Sequence, residues 1–370
     1  MQAGNAALTR GDRVPNFLLP GLDDKLWVFY DKVRGKRNLL VLHPAGEGTA
    51  VEVIEGIEAA LLALRKADID PFLLLVGAEA TIRADISKLS RQPSFMVFQD
   101  LEGKVYPALA GAFGRDPDQA LALLLDENQR VLEDLGAPDA QVPARALASS
   151  EKHPRLGPTG TLNSVAPVLI VPNVLDDATC NALIERWHKL GHVEGLAQSR
   201  DAQGRAKVLV AHETKKRRDH RITDAAVARD LSQLIGRRIA PELSKSFGLE
   251  GFAFDHFVVT CYAAERGDYF RPHRDNTTKE TQDRLFAMTL NLNTDDYEGG
   301  GLHFPEYGPT HYAPPRGGAI LFPCSLIHEA TPVTKGHRFT LLSFLRRPQK
   351  SANLSPIGIW GAGRTKSTPG

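Results

Sequence analysis

Between residues 136 and 166 the chain reads GAPDAQVPARALASSEKHPRLGPTGTLNSVA, rich in proline, glycine, serine and alanine and without a sustained apolar period. Such a stretch offers little to a core, so the sequence on either side must close a core of its own. The expected organisation is a domain over residues 1–140, a linker over 141–165, a second domain over 166–348 and a loosely held tail over 349–370. A length of 370 residues suits two domains. Apolar residues make up 42% of the chain, enough for both cores.

The two halves differ in texture. Before the break, strand-like and helix-like segments alternate. Asn38–Leu42 (NLLVL), Pro71–Val76 (PFLLLV) and Phe95–Phe98 (FMVF) read as buried strands. Between the first two, Val53, Ile54, Ile57, Ala60, Leu61 and Leu64 recur at helical spacing over Ala50–Ala67. Ala120–Leu125 and Val131–Leu132, split by Asp126–Asn128, suggest a hairpin. This pattern predicts an α/β domain around a mixed sheet. After the break, Asp176–Leu190 reads as a helix capped by Asp176 or Asp177 and stopped by Gly191, and Thr223–Phe247 reads as one or two more. From Phe254 onward short runs (FDHFVVTCY, LFAMTLNL, GGLHF, HYAP, AILFP, FTLLSFL) alternate with turn residues, which predicts a β-barrel or sandwich.

The formal net charge is +1, so no overall field favours nucleic acid or an anionic membrane. The longest apolar runs, such as LALLL at 121–125, fall far short of a bilayer span. The first ten residues carry no apolar signal core, and the three cysteines (Cys180, Cys261, Cys324) include no CxxC pair. A cytoplasmic protein without disulfides is the expectation.

Residues 269–276 read YFRPHRDN. In an extended segment residues i and i+2 face the same side, so His273 and Asp275 can aim an imidazole and a carboxylate at one point. His328 follows 53 residues after Asp275, beyond the Gly317–Gly318 turn and the apolar AILF. Two histidines and a carboxylate that leave coordination positions open form the facial triad of non-haem iron(II) oxygenases. The same ligands also permit zinc and hydrolysis. Arg338, ten residues beyond His328, opens the strand RFTLLSFL, where alternation puts it on one face with Thr340 and Leu342. An arginine on the inner face of an apolar strand needs a partner. A carboxylate ligand would supply one through paired hydrogen bonds, and a structural ion pair is the plainer alternative.

HRD (273–275), His328 within GGAILFPCSLIHEATPV, and Arg338 within GHRFTLLSF together resemble the prolyl 4-hydroxylase-like branch of the 2-oxoglutarate/iron(II) dioxygenases. Tyr262, in VVTCYAAERGDYFRPHRD, matches the tyrosine that in this branch often binds the cosubstrate carboxylate, and LNLNTDDYEGGGLHFPE (290–306) resembles its strand–turn–strand. Many animal prolyl hydroxylases carry lysine where this chain has Arg338. The resemblance spans roughly 166–347. It implies a distorted double-stranded β-helix (jelly-roll) with flanking helices. It further implies Fe(II) on His273, Asp275 and His328, and 2-oxoglutarate held by Arg338, Tyr262 and Thr340. O2 is then a cosubstrate and ascorbate an accessory. The implied reaction hydroxylates an unactivated C–H bond with succinate and CO2 as coproducts. The substrate is a prolyl or other residue of a protein or peptide, or a small molecule.

GDRVPNFLLPGLDDKLW, NLLVLHPAGEGTA, FMVFQDLEGKVYPALAGAF and ALLLDENQRVLE resemble a peroxiredoxin-type thioredoxin-like fold. In active peroxiredoxins the turn after the strand carries the reactive cysteine. Here it reads HPAGEGTA (43–50), and no cysteine precedes Cys180. Thiol chemistry needs a thiolate, so this domain is expected to be redox-inactive, with a structural, substrate-presenting or oligomerising role.

Other features carry plainer expectations. The basic run Lys215–Arg218 (KKRR) reads as a solvated loop, with nucleic-acid contact as an alternative; the resemblance places 195–221 at a substrate entrance. Cys261 and Cys324 read as small core residues. Tyr269 and Phe270 either pack the cofactor pocket or fill the barrel, and Asn291 and Asn293 either reach the site or cap a turn. A non-catalytic cosubstrate- or oxygen-sensing scaffold remains the rival to an enzyme. Neither a nucleic-acid nor a membrane partner is expected, and self-association is.

Overall fold

A computed structural model describes residues 7–153 apart from 34 and 47, residue 161, residues 164–348 apart from 196, 201–205, 210 and 211, and residues 357–360. The chain divides into two compact units, Met1–Thr159 and Gly160–Gly370.

The first unit is built on a five-stranded sheet in the order Met96–Asp100, Ile69–Val76, Arg37–Pro44, Leu121–Leu125, Val131–Gly136. The first three strands are parallel and the last two join antiparallel. The run NLLVL is apolar throughout because both faces of its strand are covered. Leu39 and Val41 point to one core with Val53, Ile54, Ile57 and Leu64 of the helix Thr49–Lys66. Leu40 and Leu42 point to the other, with Phe17, Phe29, Phe98, Tyr106 and Leu109. This is a thioredoxin-like sheet, as expected.

The expected linker 141–165 is partly structure. Val142–Lys152 is a helix with proline at its start, and Val142 and Ala146 are buried against the Thr49–Lys66 helix side of the sheet. Its C-terminal carbonyl end is held by Arg37, whose guanidinium donates to Ser150 O at 2.8 Å and to Ser150 Oγ at 2.7 Å. Gly56 makes the close approach possible: a Cβ there would meet the Ala140 carbonyl oxygen at 2.5 Å. Only Val142, Pro143, Ala146 and Ser149 are buried on this helix, and it lies in a stretch whose proline, glycine and serine read as loop.

In the second unit a large sheet runs Leu169–Val171, Ala319–Pro323, Arg284–Asn291, Val333–Arg346, Val258–Ala263, Arg218–Arg221, Val193–Glu194. A smaller sheet runs Lys215–Lys216, Tyr269–His273, His328–Ala330, Leu302–His303, His311–Tyr312. This is the expected pair of sheets of a double-stranded β-helix. Two helices cover the outer face of the large sheet. Asp177–Leu190 starts at Asp176, whose carboxylate accepts from the Thr179 N–H at 2.7 Å. Ala225–Phe247 is a single helix, capped by Asp224 and ended by Gly248 in the left-handed region.

Strand alternation divides the labour. Val259, Cys261, Phe339 and Leu341 face the helices and join Leu183, Trp187, Ile235 and Ile239 in one core. Thr260, Tyr262, Arg338 and Thr340 are therefore turned to the other face. The expected tail is not all loose: Ile357–Trp360 pairs with Phe252–Phe254.

Gly317 fixes where the strand bearing Phe322 begins. Its φ is +70°, and a Cβ there would sit 2.1 Å from the Leu175 carbonyl oxygen. Gly317 N–H donates to Asn291 O at 2.8 Å, and Leu175 N–H donates to Gly317 O at 2.9 Å. Gly317→Ala combines left-handed strain with a backbone clash, so it is expected to cost more than about 1 kcal/mol. Equilibrium denaturation of wild type and variant checks this; an unchanged midpoint would contradict the packing.

Candidate metal centre

The strand Tyr269–His273 pairs antiparallel with His328–Ala330, and His273 stands opposite His328 in register. Their rings lie 4.3 Å apart, centroid to centroid. The strand ends at His273, and Asp275 follows in a bend, where its N–H donates to Cys324 O at 3.0 Å. The carboxylate thus reaches both rings: Oδ1 is 3.4 Å from His273 Nε2 and Oδ2 is 3.3 Å from His328 Nε2. The three ligand-capable atoms lie within 4.8 Å of one another, and among the described residues no other such group occurs.

Hydrogen bonds set the tautomers. His273 Nδ1 is 2.7 Å from Arg271 O, and His328 Nδ1 is 3.1 Å from Leu326 O. A carbonyl can only accept, so each Nδ1 carries the proton and each Nε2 presents a lone pair to the common point. Burial pushes the His328 pKa down to about 4, against the opposing pull of Asp275. Burial would raise Asp275, but the His328 and His273 rings hold it at about 2. At neutral pH the cluster therefore offers a neutral imidazole at His328 and a carboxylate at Asp275, the forms a metal ion requires. Apolar rings surround the donors: Phe270 stacks on His273 at 3.5 Å and Phe322 lies 4.5 Å from His328.

These donors line a cavity of about 670 Å³ together with Tyr262, Arg338 and Thr340. Arg338 is only 2% exposed. One of its nitrogens donates to Asn291 Oδ1 at 3.3 Å, while its Nε has no hydrogen-bond partner. Arg338 is the register partner of Tyr262 across the two strands, and Thr340 that of Thr260, with the two threonine hydroxyls 2.7 Å apart. Asn291 holds Arg338 and also donates to Tyr297 Oη and Pro314 O, whereas Asn293 serves the backbone of Phe339 and His337. Tyr269 turns away, its hydroxyl donating to His212 O at 2.7 Å.

The basic run departs from its expected place in a solvated loop. Lys215 and Arg217 are 6% and 8% exposed and line the cavity with Asp219. Burial, and then Arg217, bring the Lys215 pKa down to about 8, with Asp219 opposing. Asp219 is held below the usual carboxylate range because Arg217 and Lys215 outweigh the effect of burial. Lys216 and Arg218 point elsewhere: Lys216 donates to Arg266 O, and Arg218 lies over the Trp187 ring. The signal that would have found the inward trio is the period of two in Lys215, Arg217 and Asp219. Cys261 and Cys324 are buried in apolar clusters, and burial raises both thiols.

Two imidazoles and a carboxylate presented to one cavity are a donor set able to hold a divalent cation. The family model described as "2OG-Fe(II) oxygenase superfamily" matches residues 257–346, within the second unit. Procollagen-lysine,2-oxoglutarate 5-dioxygenase 1 of Mus musculus is 28% identical over 180 residues, 46% of this chain and 23% of that protein. The chain thus spans about a quarter of that relative's length. A Pseudomonas putida prolyl-4-hydroxylase structure matches at 16% identity and a TM-score of 0.36, over 50% of this chain and 94% of that one. The peroxidoxin BcpB of Mycobacterium tuberculosis matches at 16% identity and a TM-score of 0.34, over 40% of this chain and 99% of that one.

The protonation states carry a pH signature. An unfolded chain binds a proton at His328 below about pH 6.5, whereas the folded one resists until about 4. For Asp275 the corresponding values are 3.8 and about 2. In both windows the unfolded state holds more protons, so metal-free protein loses stability as pH falls, first through the His328 window and then through that of Asp275. Between about pH 7 and about pH 5, His328→Gln is expected to lose roughly 2 kcal/mol less than wild type. Denaturant unfolding at the two pH values checks this, and equal losses would contradict it.

Proposed function

We propose that the second unit is an Fe(II)- and 2-oxoglutarate-dependent dioxygenase that hydroxylates an unactivated C–H bond, with a peptide or protein segment as substrate. One observation carries the reading: a His–Asp–His donor set and a buried guanidinium with an unpartnered Nε line the same cavity. The donor set fits iron(II), with both histidines held in the metal-binding tautomer and Asp275 ionised. The unpartnered Arg338 Nε fits a ligand that brings a carboxylate, because a buried donor left unsatisfied is costly.

His273, Asp275 and His328 would hold the metal, and Arg338, Tyr262 and Thr340 would receive the distal carboxylate of 2-oxoglutarate. When bound, iron with 2-oxoglutarate and O2 supplies the oxidising power: the substrate C–H becomes C–OH while 2-oxoglutarate leaves as succinate and CO2. The chain's own part is placement and dryness. Arg338 and the strand register fix the cosubstrate's far end, while Phe270, Phe322 and Leu302 keep water from the metal face.

A polypeptide substrate is favoured because the mouse relative is a procollagen-lysine dioxygenase. Arg338 with Tyr262 gives zinc hydrolysis no use for a second polar wall. The first unit has no cysteine, so it brings no thiol nucleophile, and we assign it a role in structure or in presenting the substrate.

Removing the charged partner of a buried carboxylate costs about 3–5 kcal/mol. Arg338→Met is therefore expected to weaken 2-oxoglutarate binding at least a hundredfold while Fe(II) binding persists. Anaerobic calorimetry checks both arms. Undiminished cosubstrate affinity in the variant would remove Arg338 from the site.

A further inference from the structure

Arg217 is not needed to explain metal or cosubstrate binding, yet it is buried in the same cavity as the residues assigned to both. Its Nη1 donates to Tyr262 Oη at 2.9 Å. Its Nη2 donates to Asp219 Oδ2 at 3.2 Å, and its Nε lies 2.8 Å from Asp219 Oδ1. One hydrogen bond and one close ion-pair contact tie the guanidinium to a single carboxylate. Its central carbon is 5.7 Å from the Tyr262 ring and 5.7 Å from the Phe270 ring, which stacks on His273. One side chain thus bridges the wall bearing Tyr262 and the wall bearing the metal ligands.

The consequence falls on the Tyr262 phenol. A phenol has one proton to donate and an oxygen with which to accept. A guanidinium only donates, so the Tyr262 oxygen accepts from Arg217 and its own proton must point elsewhere. Among the described residues no second partner of this hydroxyl is found. Arg338, whose central carbon is 5.5 Å from the same ring, is also a donor only. The phenol proton is thereby reserved for an acceptor that enters the cavity, and donation from Arg217 polarises the phenol toward giving it.

We infer that Arg217, clamped by Asp219, is a positioning residue that fixes the Tyr262 phenol as a donor to the distal carboxylate of the cosubstrate, and so sets the preference for a dicarboxylic over a monocarboxylic 2-oxo acid. This rests on the cosubstrate reading proposed above. The Asp219–Arg217–Tyr262 chain presents a single free donor to the cavity, the Tyr262 hydroxyl. It acts through Tyr262 alone, so its contribution vanishes when either the phenol or the distal carboxylate is absent.

The test uses the full chain loaded anaerobically with Fe(II) and titrated with 2-oxoglutarate or with 2-oxobutyrate, which keeps the chelating end and lacks the distal carboxylate. The pair is removed together, as Arg217→Met with Asp219→Asn, so that no buried carboxylate is stranded, and Lys215→Met is added to both the variant and its reference because Asp219 also pairs with Lys215 at 3.4 Å. The expected result is about tenfold weaker 2-oxoglutarate binding with 2-oxobutyrate unchanged, the size of one hydrogen bond to a charged group. Arg217→Lys should recover part of the loss. Tyr262→Phe should lose a similar factor, and adding the pair removal to it should cost nothing more. Unchanged 2-oxoglutarate affinity, equal weakening of both ligands, or a further loss in the Tyr262→Phe background would each overturn the inference and leave Arg217 as a fold-supporting ion pair. Wild-type protein that binds neither ligand would overturn the cosubstrate reading and this inference with it. That failure shows before any substitution is made.

Discussion

His273 and His328 face each other across two antiparallel strands, and Asp275 closes the group from the bend that follows. The donor cluster depends on that register. A slip of one residue would turn each imidazole to the opposite face and scatter the donors. The backbone contacts of the ring Nδ1 atoms and the Asp275 N–H bond to Cys324 O keep the donors aimed once the strands are paired. The cluster is therefore built mainly by main-chain pairing, with side-chain hydrogen bonds setting the tautomer.

A second register does the corresponding work for the polar wall. Val258–Ala263 and Val333–Arg346 align Tyr262 with Arg338 and Thr260 with Thr340. The alternate residues of the same strands bury Cys261, Phe339 and Leu341 under the two helices. Core packing and ligand wall are thus two faces of one pair of strands. The helices matter to the site because they hold this pair flat from behind. Buried charge is then tolerable only where it is matched, as Asp219 is by Arg217 and Lys215, or where a ligand completes it, as proposed for Arg338.

The residues with chemical character at telling intervals were legible in the sequence. The His273–Asp275 spacing, His328 beyond a glycine turn, and Arg338 opening an apolar strand each have a geometric meaning that needs no tertiary contact to be seen. The mixed α/β sheet of the first unit was legible for a similar reason, since three of its strands are apolar on both faces; that it is thioredoxin-like came from the resemblance. Structure carried by small or charged residues leaves no such local mark. Val142–Lys152 lies in a stretch whose proline, glycine and serine read as loop, which hides the helix. Lys215, Arg217 and Asp219 alternate within a run whose overall charge suggests solvent. Their burial depends on partners far along the chain, Tyr262 and Phe270, and no local pattern reveals those.

The central claim is that these donors chelate iron together with a 2-oxo acid. Its most direct measurement is an anaerobic titration of metal-free protein with Fe(II) and then 2-oxoglutarate, following the visible metal-to-ligand charge-transfer absorption. The account predicts that the band appears on adding 2-oxoglutarate to the Fe(II) protein and is lost in His273→Ala. A folded protein that binds Fe(II) and 2-oxoglutarate without developing the band, or that develops it equally in His273→Ala, would contradict the account.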